Sequence, residues 1–247
     1  MRSTSYTVRR MSNLARDGGP KVRTEPPPYR EAMGPAERAA VTRVLEYYAE
    51  LRADPPYEGH FQREFERQFA TAMGGGQARA VSSGSVACFV AIRALRLPRG
   101  GEVIISPVTD SGSVFAIIEA GLTPVVVDSD PLSYNTSWRE IAHGLSDRTV
   151  AIFSVHCAGG PLDMAPIARG VRQWGLRLIE DCSQAPWARV CQQGCPCIAP
   201  DCRGRLVGTF GDVAAFSTMY RKSLHSGGSG GVVFARDSHI AHAVIEE

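Results

Sequence analysis

From residue 80 onward, short unbroken runs of Val, Ile, Leu and Phe alternate with longer stretches that carry apolar residues at helical spacing. Few folds satisfy both patterns at once. The runs are EVIIS (102–106), TPVVVD (123–128), VAIFSV (150–155), LRLIED (176–181), DVAAFS (212–217) and GVVFA (231–235). Between them lie ACFVAIRAL (87–95), SVFAIIEAG (113–121), SWREIAHGL (137–145) and MAPIARGVRQWG (164–175). A strand without polar alternation has to be buried on both faces, which a parallel sheet covered by helices on both sides provides. The expected fold is therefore α/β, with a mostly parallel, doubly wound central sheet and right-handed crossovers. A chain of 247 residues can build such a core, because at this size roughly 70–75% of the unfolded surface is hidden.

Ahead of this region the texture differs. Residues 17–30, DGGPKVRTEPPPYR, hold too many Pro and Gly for regular structure and read as an extended arm. AERAAVTRVLEYYAELRA (37–54) then places Ala40, Val41, Val44, Leu45 and Tyr48 on one helical face. After the DPPYEG break, FQREFERQFATAMGG (61–75) repeats Phe61, Phe65 and Phe69 at i, i+4 spacing, and these three are expected to be core contacts. The first residues, MRSTSYTVRR, are Arg- and Ser-rich without an acid, as in a transit peptide, while Met11 offers a later start of translation. The expected division is a disordered or non-native tail (1–16), an arm with helices (17–79) and a large domain (80–247).

Composition narrows the function classes. Lys and Arg total 27 against 25 Asp and Glu, a net charge of +2, so nothing points to nucleic acid. No apolar run reaches the ~20 residues of a membrane span. Seven cysteines, an odd number, follow an N-terminus without a secretory apolar core, and the expected compartment is a reducing cytoplasm.

In such sheets, ligands bind beyond the carboxyl ends of the strands. That rule selects Asp181 after LRLIE, His156 after VAIFSV, and Ser217 after DVAAF with Lys222 just beyond. It also selects Ser83, Gly84 and Ser85, which open the helix ACFVAIRAL. Unpaired N–H groups at a helix start, with a glycine allowing close approach, suit a phosphate, although Ser83 also suits a plain N-cap. A partly desolvated Lys222 could form a Schiff base with a carbonyl; a lone lysine is otherwise solvated surface charge. An acid ending an apolar strand is costly to bury unless a cation meets it, and a protonated pyridine nitrogen is one such cation.

Phosphate cradle, strand-end Asp and downstream Lys, in that order, resemble the pyridoxal-phosphate enzymes of the aspartate-aminotransferase fold. GGPKVRTEP, AVSSGSVA, EVIISP, AGLTPVVVD, TVAIFSVH, IEDCSQA and VGTFGDVAAFS are more narrowly similar to the DegT/StrS-type sugar aminotransferases, from about residue 17 to the end. The resemblance implies pyridoxal 5′-phosphate as cofactor, with Lys222 as its covalent anchor and general acid/base. It places Asp181 on the pyridine nitrogen, Gln184 near the phenolic oxygen, and Gly84, Ser85 and Ser217 on the phosphate. His156 also matches a family position, with a structural hydrogen bond as the other reading. The implied reaction moves an amino group from glutamate or glutamine to a nucleotide-linked keto sugar or a keto-cyclitol, in a homodimer. The alternatives are a dehydratase or lyase on the same scaffold and a catalytically silent remnant; Lys222 speaks against the dehydratases that carry His there.

Two departures stand out. SPVTDSGS puts Asp110 where the family commonly stacks an aromatic residue on the ring, so a polar contact is expected instead. Family members also continue into a smaller C-terminal domain, whereas this chain stops at HIAHAVIEE; a fragment of a longer protein is expected. Residues 191–202, CQQGCPCIAPDC, read as an insertion. Cys191, Cys195, Cys197 and Cys202 are numerous enough for tetrahedral zinc, but they lack paired CxxC spacing, so free thiols and no metal site are expected.

Overall fold

The computed structural model describes residues 14–131, 133–191 and 204–247. Compactness separates the chain into two units, Met1–Ala40 and Val41–Glu247. The described part of the first unit holds a 3-10 turn (Ala15–Asp17), irregular chain and the start of α1 (Pro35–Leu51). Pro35 occupies the first helical position, where a missing N–H costs nothing, and the Gly34 N–H donates to Glu37 at 2.8 Å, closing the first turn.

The second unit is built on a seven-stranded sheet. Its strands are β1 (Gln77–Val81), β2 (Glu102–Ile105), β3 (Thr123–Val126), β4 (Thr149–Val155), β5 (Arg177–Asp181), β8 (Val213–Ser217) and β9 (Gly231–Ala235). They lie in the order β1-β9-β8-β5-β4-β2-β3, and a hairpin of β6 (Arg189–Val190) and β7 (Arg205–Leu206) stands apart. From β3 to β8 the sheet is parallel, whereas β9 runs antiparallel to both β8 and β1.

Alternation along the strands splits the core in two. Ile104, Ile152, Leu178 and Phe216 pack under α2 (His60–Ala72), α5 (Trp138–His143) and α6 (Met164–Trp174). Ile105, Phe153, Ile179 and Val213 pack under α3 (Gly84–Ala94), α4 (Ser111–Glu119) and α7 (Ser238–Glu246). The expected class, with helices on both faces, is the one found. Gly175, in the left-handed region at φ 64°, ends α6 and turns the chain directly into β5.

The details depart from the sequence pattern in five places. The run 123–128 is not buried on both faces: among the described residues β3 has only β2 beside it, and Thr123 and Val126 are exposed. Strand–helix alternation stops after β5, where the β6–β7 hairpin replaces a crossover helix among the described residues. The expected 79/80 boundary falls inside β1, because α2 feeds straight into the sheet. No residue of α1 is buried, so the apolar face through Val41 and Leu45 faces outward. Of the three phenylalanines, Phe69 enters the core and Phe65 packs at its edge. Phe61 instead joins an aromatic cluster with Tyr47, Tyr48 and His60.

No described helix is long and apolar enough to cross a membrane. Of the cysteine-rich insertion, Cys191 is half-buried, and Cys195, Cys197 and Cys202 lie outside the described residues.

Candidate active site

A cavity of about 200 Å³ opens where β5 and β8 end and α3 and α4 begin. Eight of the nine residues selected from sequence line it: Ser83, Gly84, Ser85, Asp110, Asp181, Gln184, Ser217 and Lys222. They arrive from separate stretches of chain because each follows a strand or opens a helix at the same rim.

The start of α3 is the anion-ready element. Ser83 caps it, its hydroxyl accepting from the Val86 N–H at 3.1 Å. The N–H groups of Gly84 and Ser85 take no described partner, as the first turn of a helix leaves them. A Cβ on Gly84 would come within 2.6 Å of the Ser217 Cβ, so only glycine lets the α3 start sit this close to the end of β8.

Asp181 follows Ile179 on β5, so alternation turns both to the side of α3 and α4, and Asp181 emerges where the core gives way to the cavity. It is 5% exposed. Its Oδ2 accepts from the Ser113 hydroxyl at 2.7 Å and the Cys88 thiol at 3.8 Å, and its Oδ1 from the Ser183 N–H at 2.9 Å. None of the ion pairs among the described residues involves Asp181. Burial pushes the Cys88 thiol well above its ordinary value, and the charges of Asp181 and Asp110 push it further.

Lys222 lies beyond β8 in the turn that leads to β9, half-buried at the cavity, with its backbone N–H donating to Met219 O at 2.8 Å. Gln184 is fixed by the Ala158 N–H, which donates to its Oε1 at 2.7 Å and leaves the side-chain amide NH₂ for another acceptor. Asp110 is the N-cap of α4, its Oδ1 accepting from the Gly112 N–H at 2.9 Å. No aromatic residue is among those lining the cavity.

His156 is the exception. It does not line the cavity but lies fully buried, its Nε2 3.2 Å from Glu180 Oε2 and its Nδ1 accepting from the Leu162 N–H at 3.1 Å. Because Nδ1 accepts, the ring proton sits on Nε2 and points at Glu180. The reason is register: His156 follows Ser154, which pairs with Glu180, and both project to the face opposite Asp181. His156, Glu180 and Cys182 bring three metal-ligating atoms within 4.8 Å of one another. Hydrogen bonds already occupy both His156 nitrogens and both Glu180 oxygens.

Several cavity residues were not selected from sequence. Cys88 could have been found, since it stands one helical turn after Gly84. Ser113, Ser183, Met219 and Ser229 carry no signal in their local pattern.

The residues present fit a phosphorylated pyridine aldehyde in three respects: unpartnered amides at a glycine-tight helix start, a buried acid without a described cation, and a lysine lining the same cavity. They offer no ring to stack on it.

Comparison with known proteins bears on the same site. A model of the DegT/DnrJ/EryC1/StrS aminotransferase family matches residues 40–246. The chain is 35% identical over 180 residues to the GDP-perosamine synthase of Escherichia coli O157:H7, covering 73% of this chain and 46% of that protein. It is 31% identical over 227 residues to the L-glutamine:2-deoxy-scyllo-inosose aminotransferase of Micromonospora echinospora, covering 90% and 50% respectively. The crystal structure of an aminotransferase from Psychrobacter cryohalolentis superposes with a TM-score of 0.76 at 32% identity, over 90% of this chain and 51% of that one. The chain thus spans about half the length of the curated relatives it matches.

Proposed function

The chain belongs to the DegT/DnrJ/EryC1/StrS aminotransferase family, and on that premise we propose that it is the cofactor-binding part of a pyridoxal-phosphate-dependent aminotransferase. The amino group would pass from glutamate or glutamine to a nucleotide-linked keto sugar or a keto-cyclitol. One observation carries the reading: Asp181, Lys222 and the open start of α3 line a single cavity. The names of the two curated relatives, a GDP-perosamine synthase and a glutamine-dependent inosose aminotransferase, support the two acceptor classes.

When bound, pyridoxal phosphate supplies an aldehyde that takes up the amino group and a ring that withdraws electrons from the substrate carbon. The residues of this chain then divide the remaining tasks. The Gly84 and Ser85 amides and the Ser217 hydroxyl would hold the phosphate, aided by the positive end of α3. Asp181 would face the pyridine nitrogen and keep it protonated. The free NH₂ of Gln184 would donate to the phenolic oxygen. Lys222 Nζ would hold the cofactor through its aldehyde and, as a free amine, would serve as the base for the proton on the substrate α-carbon. Asp110, in the place of a stacking ring, would make a polar contact at the edge of the site. His156 is assigned a supporting place behind β5 and no cofactor contact.

A cytoplasmic homodimer is part of this reading. Cys88, Cys157 and Cys182 are free thiols, as a reducing compartment would keep them. On α4, which opens the cavity, Phe115 and Ile118 expose large apolar surface suited to a second copy.

The test is reductive labelling. Chain incubated with pyridoxal phosphate should absorb in the visible, change its spectrum on addition of L-glutamate, and carry the label on Lys222 after borohydride. A colourless, unlabelled chain in excess cofactor would overturn the proposal.

A further inference from the structure

A carboxylate at the end of a strand turns freely about χ2 unless donors fix it, and Asp181 is fixed by three. Ser113, 2% exposed in the first turn of α4, donates to Oδ2 at 2.7 Å. The proton's direction follows from the acid: an ionised carboxylate only accepts, so the one proton of Ser113 goes to Asp181. Ser113 Oγ is then left to accept from the Thr109 hydroxyl at 3.2 Å. The Cys88 thiol takes the second site on Oδ2, and the Ser183 N–H takes one on Oδ1. An ionised carboxylate has about four acceptor sites; the one left over belongs to Oδ1.

We propose that Ser113 is the positioning residue of Asp181: held by Thr109, it locks the carboxylate so that the open acceptor site of Oδ1 serves the cavity. A hydroxyl suits this task better than a basic side chain. It orients the acid through a charge-assisted bond, yet leaves its charge to be met by a cation in the cavity. Cys88 cooperates without competing, because burial keeps it a protonated donor. The inference rests on the reading of this cavity as a pyridoxal-phosphate site.

The experiment compares Ser113→Ala, Ser113→Thr and the parent chain, with the Asp181 carboxyl titrated by carbon-13 NMR in the absence of cofactor. Besides Asp181, the titratable groups facing this point are Cys88, Asp110, Lys222 and Cys182. Loss of one hydrogen bond to the ionised form should raise the Asp181 midpoint by about one pH unit in Ser113→Ala, while Ser113→Thr stays near the parent. The Kd for pyridoxal phosphate should rise about tenfold in the alanine variant and recover in the threonine one. An unchanged midpoint in Ser113→Ala overturns the proposal, whatever happens to melting temperature. If that variant does not fold, Ser113→Cys, similar in shape and a weak donor, should show a smaller upward shift, and no shift again overturns it. A raised midpoint in a chain that binds no pyridoxal phosphate upholds the positioning role and sinks the cofactor reading instead.

Discussion

Glu180 and Asp181 stand side by side at the end of β5 and project to opposite faces of the sheet. Glu180 is fully buried, and four donors converge on it: the N–H groups of Gly208, Phe210 and Gly211, and His156 Nε2. Asp181 is nearly as buried but receives three donors and borders a cavity. Burial therefore does not separate the acid saturated by the protein from the acid at the cavity. What separates them is whether the acceptor sites are filled by the protein. Glu180 ties the end of β5 to the 207–212 loop and to β4, a framework within which Asp181 keeps capacity for a ligand.

The sharpest way to break this contrast is to remove each acid in turn. Glu180→Ala leaves its donors unpaired in the interior, at about 1–3 kcal/mol each before relaxation. A stability loss of about 4 kcal/mol is expected in urea unfolding; a loss below about 1 kcal/mol would show that Glu180 is not the anchor its bonds imply. Asp181→Asn should do the reverse. Turnover should fall about a hundredfold, roughly 2.7 kcal/mol in the barrier, while melting temperature moves by only about 2 °C. Near-normal turnover would make the two acids alike.

A smaller effect tests the other wall of the cavity. Gly84→Ala forces a methyl group against Ser217 and displaces the α3 start. Overpacking of this kind costs about 1–3 kcal/mol, and the Kd for pyridoxal phosphate should rise about tenfold, measured by titration. An unchanged Kd would remove the α3 start from the phosphate site.

The mildest test concerns the thiols around the acids. Cys88 and Cys182 are held well above the ordinary thiol value of 9.0, in each case first by burial and then by the neighbouring carboxylates. Above pH 9 the unfolded chain releases these protons while the folded chain keeps them. Their contribution is therefore complete below that pH and declines as pH rises beyond it. Stability should slope downward above about pH 9, and Cys182→Ala should flatten the slope; an unaltered slope would show that the thiol ionises alike in the folded and unfolded states.

The main strands could be read from the sequence because a strand covered on both sides needs no polar alternation, as in VAIFSV and GVVFA. The hairpin at Arg189–Val190 and Arg205–Leu206 could not, since two-residue strands carry no period. Nor could the exposure of β3, because TPVVVD reads the same in the middle of a sheet as at its edge. Gly84, Ser85, Asp181, Ser217 and Lys222 could be placed at one rim because the ends of parallel strands meet there. His156 obeyed the same rule and still went to the other face: it stands at a strand end, but its register matches Glu180.

Sequence alone determined the layered sheet, the order of its main strands along the chain and the rim where chemistry-bearing residues gather, since periodicity and strand ends are local properties. Only the tertiary structure decided which acid is saturated and which is open. Glu180 draws donors from 28 to 31 positions ahead in the chain. Asp181 is held by Ser113 and Cys88, 68 and 93 positions behind it. Hydrogen-bond saturation depends on groups that only folding brings within 3–4 Å, so no reading of neighbours along the chain can assign it.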